Sequence, residues 1–106
     1  VLDSFHWFCA EESVADLLTL DKEDIVTVDL NDATAGRTAA EQIDNLRNLP
    51  TARGVIDVKS FLGALARIGY DGPIRAEPFN IQLYEMVNVA AIHASSAAMK
   101  MAFESV

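Results

Sequence analysis

The amino-acid sequence predicts an α/β fold in which three parallel strands alternate with helices. Strand-like apolar runs alternate with segments of helical spacing along the 106 residues. Residues 25–30 are apolar on nearly both faces, as a strand inside a helix-covered parallel sheet must be. Three apolar runs also end in acid, at Asp3, at Asp29 to Asp32, and at Glu77. Parallel α/β architectures collect functional groups at the carboxyl ends of their strands, so these three ends are expected to converge on one site.

The elements follow in order. Val1 and Leu2 read as the end of a buried strand, and Asp3 to Cys9 as a lead-in to a helix over residues 13–20. Ser13 caps that helix, and Val14, Leu17 and Leu18 supply its spacing. The polar stretch from Asp21 to Asp24 precedes the second strand, residues 25–30. Residues 31–54 show no strong period apart from a short helix over 38–46 behind Thr38, and loops of that length in compact domains are usually functional or disordered. Asp57 then caps a helix that places Phe61, Leu62, Leu65 and Ile68 on one side and ends at Gly69. The third strand occupies residues 74–77, with Arg75 and Glu77 on one face and Ile74 and Ala76 on the other, and Pro78 stops it. A terminal helix over 84–103 carries a small-residue face of Val87, Ala90, Ala91, Ala94, Ala98 and Met101. His93 lies in this helix and is left outside the site.

Composition narrows the function. A chain of 106 residues is one domain at most, and 51% hydrophobic content suits a folded core. A net charge of −8 argues against a nucleic-acid partner, which needs a clustered basic surface. The single cysteine, Cys9, has no partner for an internal disulfide or a zinc cluster, and a reducing cytoplasm fits it. No signal peptide opens the chain, and Asn88, His93 and Lys100 interrupt the apolar C-terminal segment, so no membrane span is expected.

Asp3, Asp29, Asp32 and Glu77, with His6, form a hard, oxygen-rich set with one imidazole. Such a set suits Mg²⁺, Mn²⁺ or a similar divalent ion. Acids at strand ends also serve as helix caps and loop anchors, and spacing alone leaves both readings open.

Four motifs together resemble the closing part of the sugar phosphate isomerase/epimerase family, the xylose isomerase-like (β/α)₈ TIM barrels. They are the stretches from Leu2 to Trp7, from Val28 to Ala33, from Arg47 to Pro50 with Gly54 to Asp57, and from Ile68 to Pro73 followed by Ala76 to Phe79. The resemblance implies a partial TIM barrel made of the last three β/α units, with parallel strands and helices on the outer face. Residues 1–106 are then a C-terminal fragment, and the first five units with their strand-end glutamate lie outside it. By the same resemblance Asp3, Asp29 and Glu77 are metal ligands, Glu77 and His6 are catalytic, and His6 and Arg47 bind substrate. The implied cofactor is a divalent metal, Mn²⁺, Mg²⁺ or similar, weakly held or absent in the fragment. The implied chemistry is proton transfer beside a carbonyl of a sugar or cyclitol through an enediolate. Two departures stand out: Asp29 occupies the position where the family usually has a histidine, and the loop reads Pro50-Thr51-Ala52-Arg53-Gly54, in which Arg53 adds a charge.

The isolated chain is expected to be inactive and to be a homo-oligomer, because three units leave sheet edges uncovered. The competing reading is a non-catalytic barrel fragment that self-associates. A weaker one, an apurinic endonuclease-like barrel, demands many histidines and a DNA-facing surface, against two histidines and a charge of −8.

Overall fold

Strands β1 (Leu2–Asp3), β2 (Val28–Asp29) and β3 (Ile74–Arg75) form one sheet in that spatial order. Both pairings are parallel: Leu2 lies opposite Val28 and Asp3 opposite Asp29, while Val28 lies opposite Ile74 and Asp29 opposite Arg75. The computed structural model describes residues 1–51 and 54–106. The expected contribution of Arg53 to the loop therefore falls outside the described residues. The predicted α/β alternation with parallel strands is present.

The ladder is shorter than the apolar runs suggest. Asp21 to Asp24 form a 3-10 turn that draws in Ile25, whose N–H donates to the Lys22 carbonyl at 3.2 Å, and Val26 is left 78% exposed. Pairing therefore starts at Val28 rather than at Ile25. At the other end β3 stops at Arg75, and the Glu77 N–H donates instead to Oδ1 of Asn31 at 2.8 Å. The alternation of β2 decides what faces where. Val28 and Leu30 are fully buried in the apolar core with Phe5, Leu17, Phe61 and Leu65, while Asp29 between them points to the opposite face.

Helix α1 (Ser4–Cys9) begins directly after β1, within the stretch expected to be only a lead-in. Asp3 is its N-cap, accepting the Phe5 N–H at 2.8 Å. Helix α2 (Val14–Leu17) is capped by Ser13 with Asp16 in a reciprocal capping box, but it runs for one turn rather than to Leu20. Residues 38–46 hold a single 3-10 turn, Ala39–Glu41, instead of a helix. Its continuation is diverted because Gln42 turns extended and its side-chain amide spans the loop, accepting from the Thr34 N–H at 2.9 Å and donating to the Thr34 carbonyl at 2.9 Å.

Helix α3 (Val58–Arg67) follows the sequence reading closely. The Asp57 side chain accepts the Ser60 N–H at 3.0 Å, and Phe61, Leu62 and Leu65 are buried. Gly69, at φ +80°, ends it in a Schellman arrangement: the Gly69 N–H donates to the Ala66 carbonyl and the Tyr70 N–H to the Leu65 carbonyl. The predicted single terminal helix is two helices, α4 (Ile81–Glu85) and α5 (Asn88–Glu104), separated by extended Met86 and Val87. Its expected packing face is also displaced. Val87 and Met101 are exposed, whereas Ala102 and Met99 meet the core.

Candidate active site

The carboxyl end of the sheet carries a row of charges set by register. Asp3, Asp29 and Arg75 sit side by side on β1, β2 and β3, and Glu77 follows Arg75 by two positions on the same face. Carboxylate oxygens of Asp3, Asp29 and Glu77 all lie within 4.8 Å of one another. Like charges directly opposite in adjacent strands destabilise a sheet unless they are countered. Two guanidinium groups counter them from different directions.

Arg47 comes from the loop after β2 and is only 3% exposed. Its backbone is fixed by its N–H donating to the Phe79 carbonyl at 2.9 Å and by Asn80 Nδ2 donating to its carbonyl at 3.2 Å. Nη1 donates to Asp3 Oδ2 at 2.8 Å and to Glu77 Oε2 at 3.4 Å. Nε donates to the Asp44 carbonyl at 2.8 Å, and Nη2 donates to Asp44 Oδ1 at 2.7 Å. The second Nη2 proton faces His6 Nε2 at 3.3 Å, so all five N–H groups of the guanidinium are engaged. The plane lies between the rings of Phe5 and Phe79, at 4.7 and 5.0 Å from their centroids, where a cation is attracted by the aromatic faces.

His6 projects from α1 at the rim and is 62% exposed. Arginine only donates, so the contact with Arg47 requires His6 Nε2 to accept and places the ring proton on Nδ1. Asp44 Oδ1 at 3.5 Å from the same nitrogen favours the opposite arrangement, a proton on Nε2. The two arrangements exclude each other.

Arg75 grips Asp29 as a fork. Nε donates to Oδ1 and Nη2 donates to Oδ2 at 3.3 Å. The hydrogen bond and the charge of Asp29, with a smaller contribution from Glu77, push the Arg75 guanidinium further above its ordinary value. The Asp29 side chain is 4% exposed and that of Arg75 60%.

The structure thus brings Asp3, Asp29, Glu77, His6 and Arg47 together, and takes Asp32 elsewhere. Asp32 Oδ1 accepts the N–H groups of Ala33, Val55 and Ile56 at 2.8, 2.9 and 2.9 Å, and Thr51 Oγ1 donates to Oδ2 at 3.3 Å. This acid anchors the loop, and a Cβ on Gly54 would overlap its carboxylate. Burial pushes the Cys9 thiol up, away from thiolate reactivity. His93 is exposed on α5.

Three groups at the site were not singled out from sequence. Asp44 orients both Arg47 and His6. Asn31, fully buried, holds the Glu77 backbone and is itself held by Ser4, whose Oγ donates to the Asn31 carbonyl at 2.7 Å and accepts its N–H at 2.8 Å. Arg75 was visible only as a neighbour of Glu77 on one strand face. The available signal was a pair of fully polar positions, Asn31 and Arg75, at the ends of otherwise apolar strands.

The model of the xylose isomerase-like TIM barrel family matches residues 1–102. No curated protein matches the chain. Among solved structures, the IolI protein with a bound zinc atom is similar over 99% of this chain and 37% of its own, at 24% identity and a TM-score of 0.88. A xylose isomerase domain protein from Alicyclobacillus acidocaldarius matches over 99% of this chain and 37% of its own, at 28% identity and a TM-score of 0.75. A xylose isomerase domain-containing protein from Salmonella typhimurium matches over 96% and 38%, at 22% identity and a TM-score of 0.84. The chain therefore spans a little over a third of the length of these structures.

Proposed function

The chain belongs to the xylose isomerase-like TIM barrel family, and from this premise we propose that it forms part of a divalent-metal-dependent isomerase or epimerase acting on a sugar or cyclitol. The observation that carries the proposal is the convergence of Asp3, Asp29 and Glu77 within 4.8 Å at the carboxyl end of a parallel sheet.

The donor set fits a hard ion. Metal–oxygen distances of about 2.1 to 2.6 Å place the ligand oxygens of one ion up to roughly 4 to 5 Å apart, which is the spread observed here. Asp3, Asp29 and Glu77 would hold the ion, and a structural neighbour, the IolI protein, carries zinc. When bound, such an ion polarises the substrate carbonyl and stabilises the negative charge that develops as an adjacent proton leaves.

The residues divide the remaining work. Glu77 is partly exposed and only one of its oxygens faces Arg47, so the other, which has no hydrogen-bond partner among the described residues, is placed to take and return the substrate proton. His6, exposed at the rim, is placed to hydrogen-bond a substrate oxygen. Arg47, with every N–H engaged, acts by fixing Asp3, His6 and Glu77 in relation to one another, and orients substrate through them.

The test is solvent-deuterium uptake beside the carbonyl, followed by NMR on the complete polypeptide with ketoses and cyclitol ketones. Glu77→Gln is expected to slow uptake by about 10²- to 10⁴-fold; uptake unaffected by that substitution would refute the assignment.

A second reading, self-association, is favoured by the apolar surface of the C-terminal helices, where Tyr84, Val87, Val89 and Ile92 are 66 to 74% exposed.

A further inference from the structure

We infer that Arg75 competes with the metal for Asp29, so that this guanidinium lowers the affinity of the site for a divalent ion. The inference rests on the metal-site reading above and adds a residue that acts through another. Register makes the interaction obligatory: Asp29 and Arg75 are direct cross-strand partners, with side chains on the same face. Both carboxylate oxygens of Asp29 are engaged by the fork, Oδ1 by Nε and Oδ2 by Nη2. An arginine keeps its charge at any working pH and holds a carboxylate in a fixed plane. An ion approaching Asp29 therefore meets a neutral pair, and its own charge is repelled by the neighbouring guanidinium.

The other two acids are not compromised in the same way. Asp3 shares Arg47 with Asp44, Glu77 and His6, and Glu77 meets that guanidinium through one oxygen at 3.4 Å. Among the described residues, Asp29 is the one of the three acids whose guanidinium pairs with no other acid. Removing it would leave two buried carboxylates, Asp3 and Asp29, directly opposite each other with one counter-charge lost, an arrangement that a bound cation relieves. The Arg75 side chain is 60% exposed, so its replacement uncovers Asp29 without opening a cavity in the core.

The experiment is calorimetric titration of the complete polypeptide with Mn²⁺ at pH 7.5. The proteins are the wild type, Arg75→Gln, Arg75→Ser, Arg75→Lys and the double variant Arg75→Gln/Asp29→Asn, each first checked for a cooperative thermal transition. Both neutral variants are expected to bind Mn²⁺ at least tenfold more tightly than the wild type, about 1.4 kcal/mol. Arg75→Lys, which keeps the charge but loses the fork, should fall between the wild type and the neutral variants. The double variant should lose the gain. Neutral variants that bind no more tightly than the wild type, or a gain that survives Asp29→Asn, would overturn the inference. Glu77→Gln separates it from the broader reading: wild-type binding that Glu77→Gln abolishes keeps the metal site even where Arg75 proves to have no influence.

Discussion

Replacing Arg47 by methionine tests the electrostatic account of the site. Methionine is unbranched and polarizable, so it can fill the space between Phe5 and Phe79 while deleting the charge and all five donors. The cost follows from which acids lose their partner. Asp44 is 62% exposed and regains water, so its loss is worth at most about 1 kcal/mol. Glu77 is partly exposed and its contact is long, so it adds little. Asp3 is 8% exposed and its Oδ2 has no other hydrogen-bond partner among the described residues, with only His6 Nε2 at 3.9 Å beside it, so it is left as a buried and poorly compensated charge. Breaking a buried pair from one side costs about 3 to 5 kcal/mol, and Asp3 accounts for most of that. The assay is urea unfolding of the complete polypeptide in the presence of a chelator, with double-mutant cycles to Asp3→Asn and Asp44→Asn. A loss of about 3 to 4 kcal/mol is expected, with coupling to Asp3 of about 2 kcal/mol or more and coupling to Asp44 below about 1. A loss under about 1 kcal/mol, or stronger coupling to Asp44 than to Asp3, would refute the reasoning.

The Asp57 cap makes a pH-dependent contribution. Hydrogen bonds from the Ser60 side chain and backbone hold its carboxyl below the usual range, so the stabilisation is complete above the unfolded value near 4 and is lost as pH falls through the folded value. Asp57→Ala should cost about 1 kcal/mol at pH 7 and less at pH 3, and an equal cost at both would contradict the assignment. For self-association, light scattering at tens of micromolar should give a multiple of the polypeptide mass that Ile92→Glu reduces to the monomer; a monomeric wild type would exclude the C-terminal surface as an interface.

What the sequence made legible was whatever depended on local signals that agreed with one another. Helix α3 had a cap at Asp57, apolar spacing through Leu65 and a left-handed stop at Gly69, and all three are present. Helix α1 was missed because Asp3 was weighed as a strand-end acid, whereas it is also the cap that starts a helix at Ser4. The break between α4 and α5 carries neither glycine nor proline, so residues 84–103 read as continuous. Among the acids, Asp3, Asp29 and Glu77 could be grouped from strand ends. Asp32 could not be separated from them, because its partners Val55 and Ile56 lie more than twenty residues away, beyond a loop without periodicity.

That loop is the part of the chain whose order the site depends on most. Its start is joined to its later part by the bridge between Asp32 and Asn48 and by the Asp32 contacts to Val55 and Ile56. Asn80, entering α4, closes it from the other side by donating to the Arg47 carbonyl and to Asn48 Oδ1 at 2.6 Å. These contacts hold Arg47, whose side chain reaches Asp3, His6 and Glu77 together. Three carboxylates at the ends of adjacent strands repel one another and would splay if left alone. The loop delivers the charge that counters Asp3 and Glu77, while Arg75 on β3 counters Asp29. A long connection without helical or strand period thus carries a buried guanidinium from beyond β2 to the acid of β1 and the acid that follows β3.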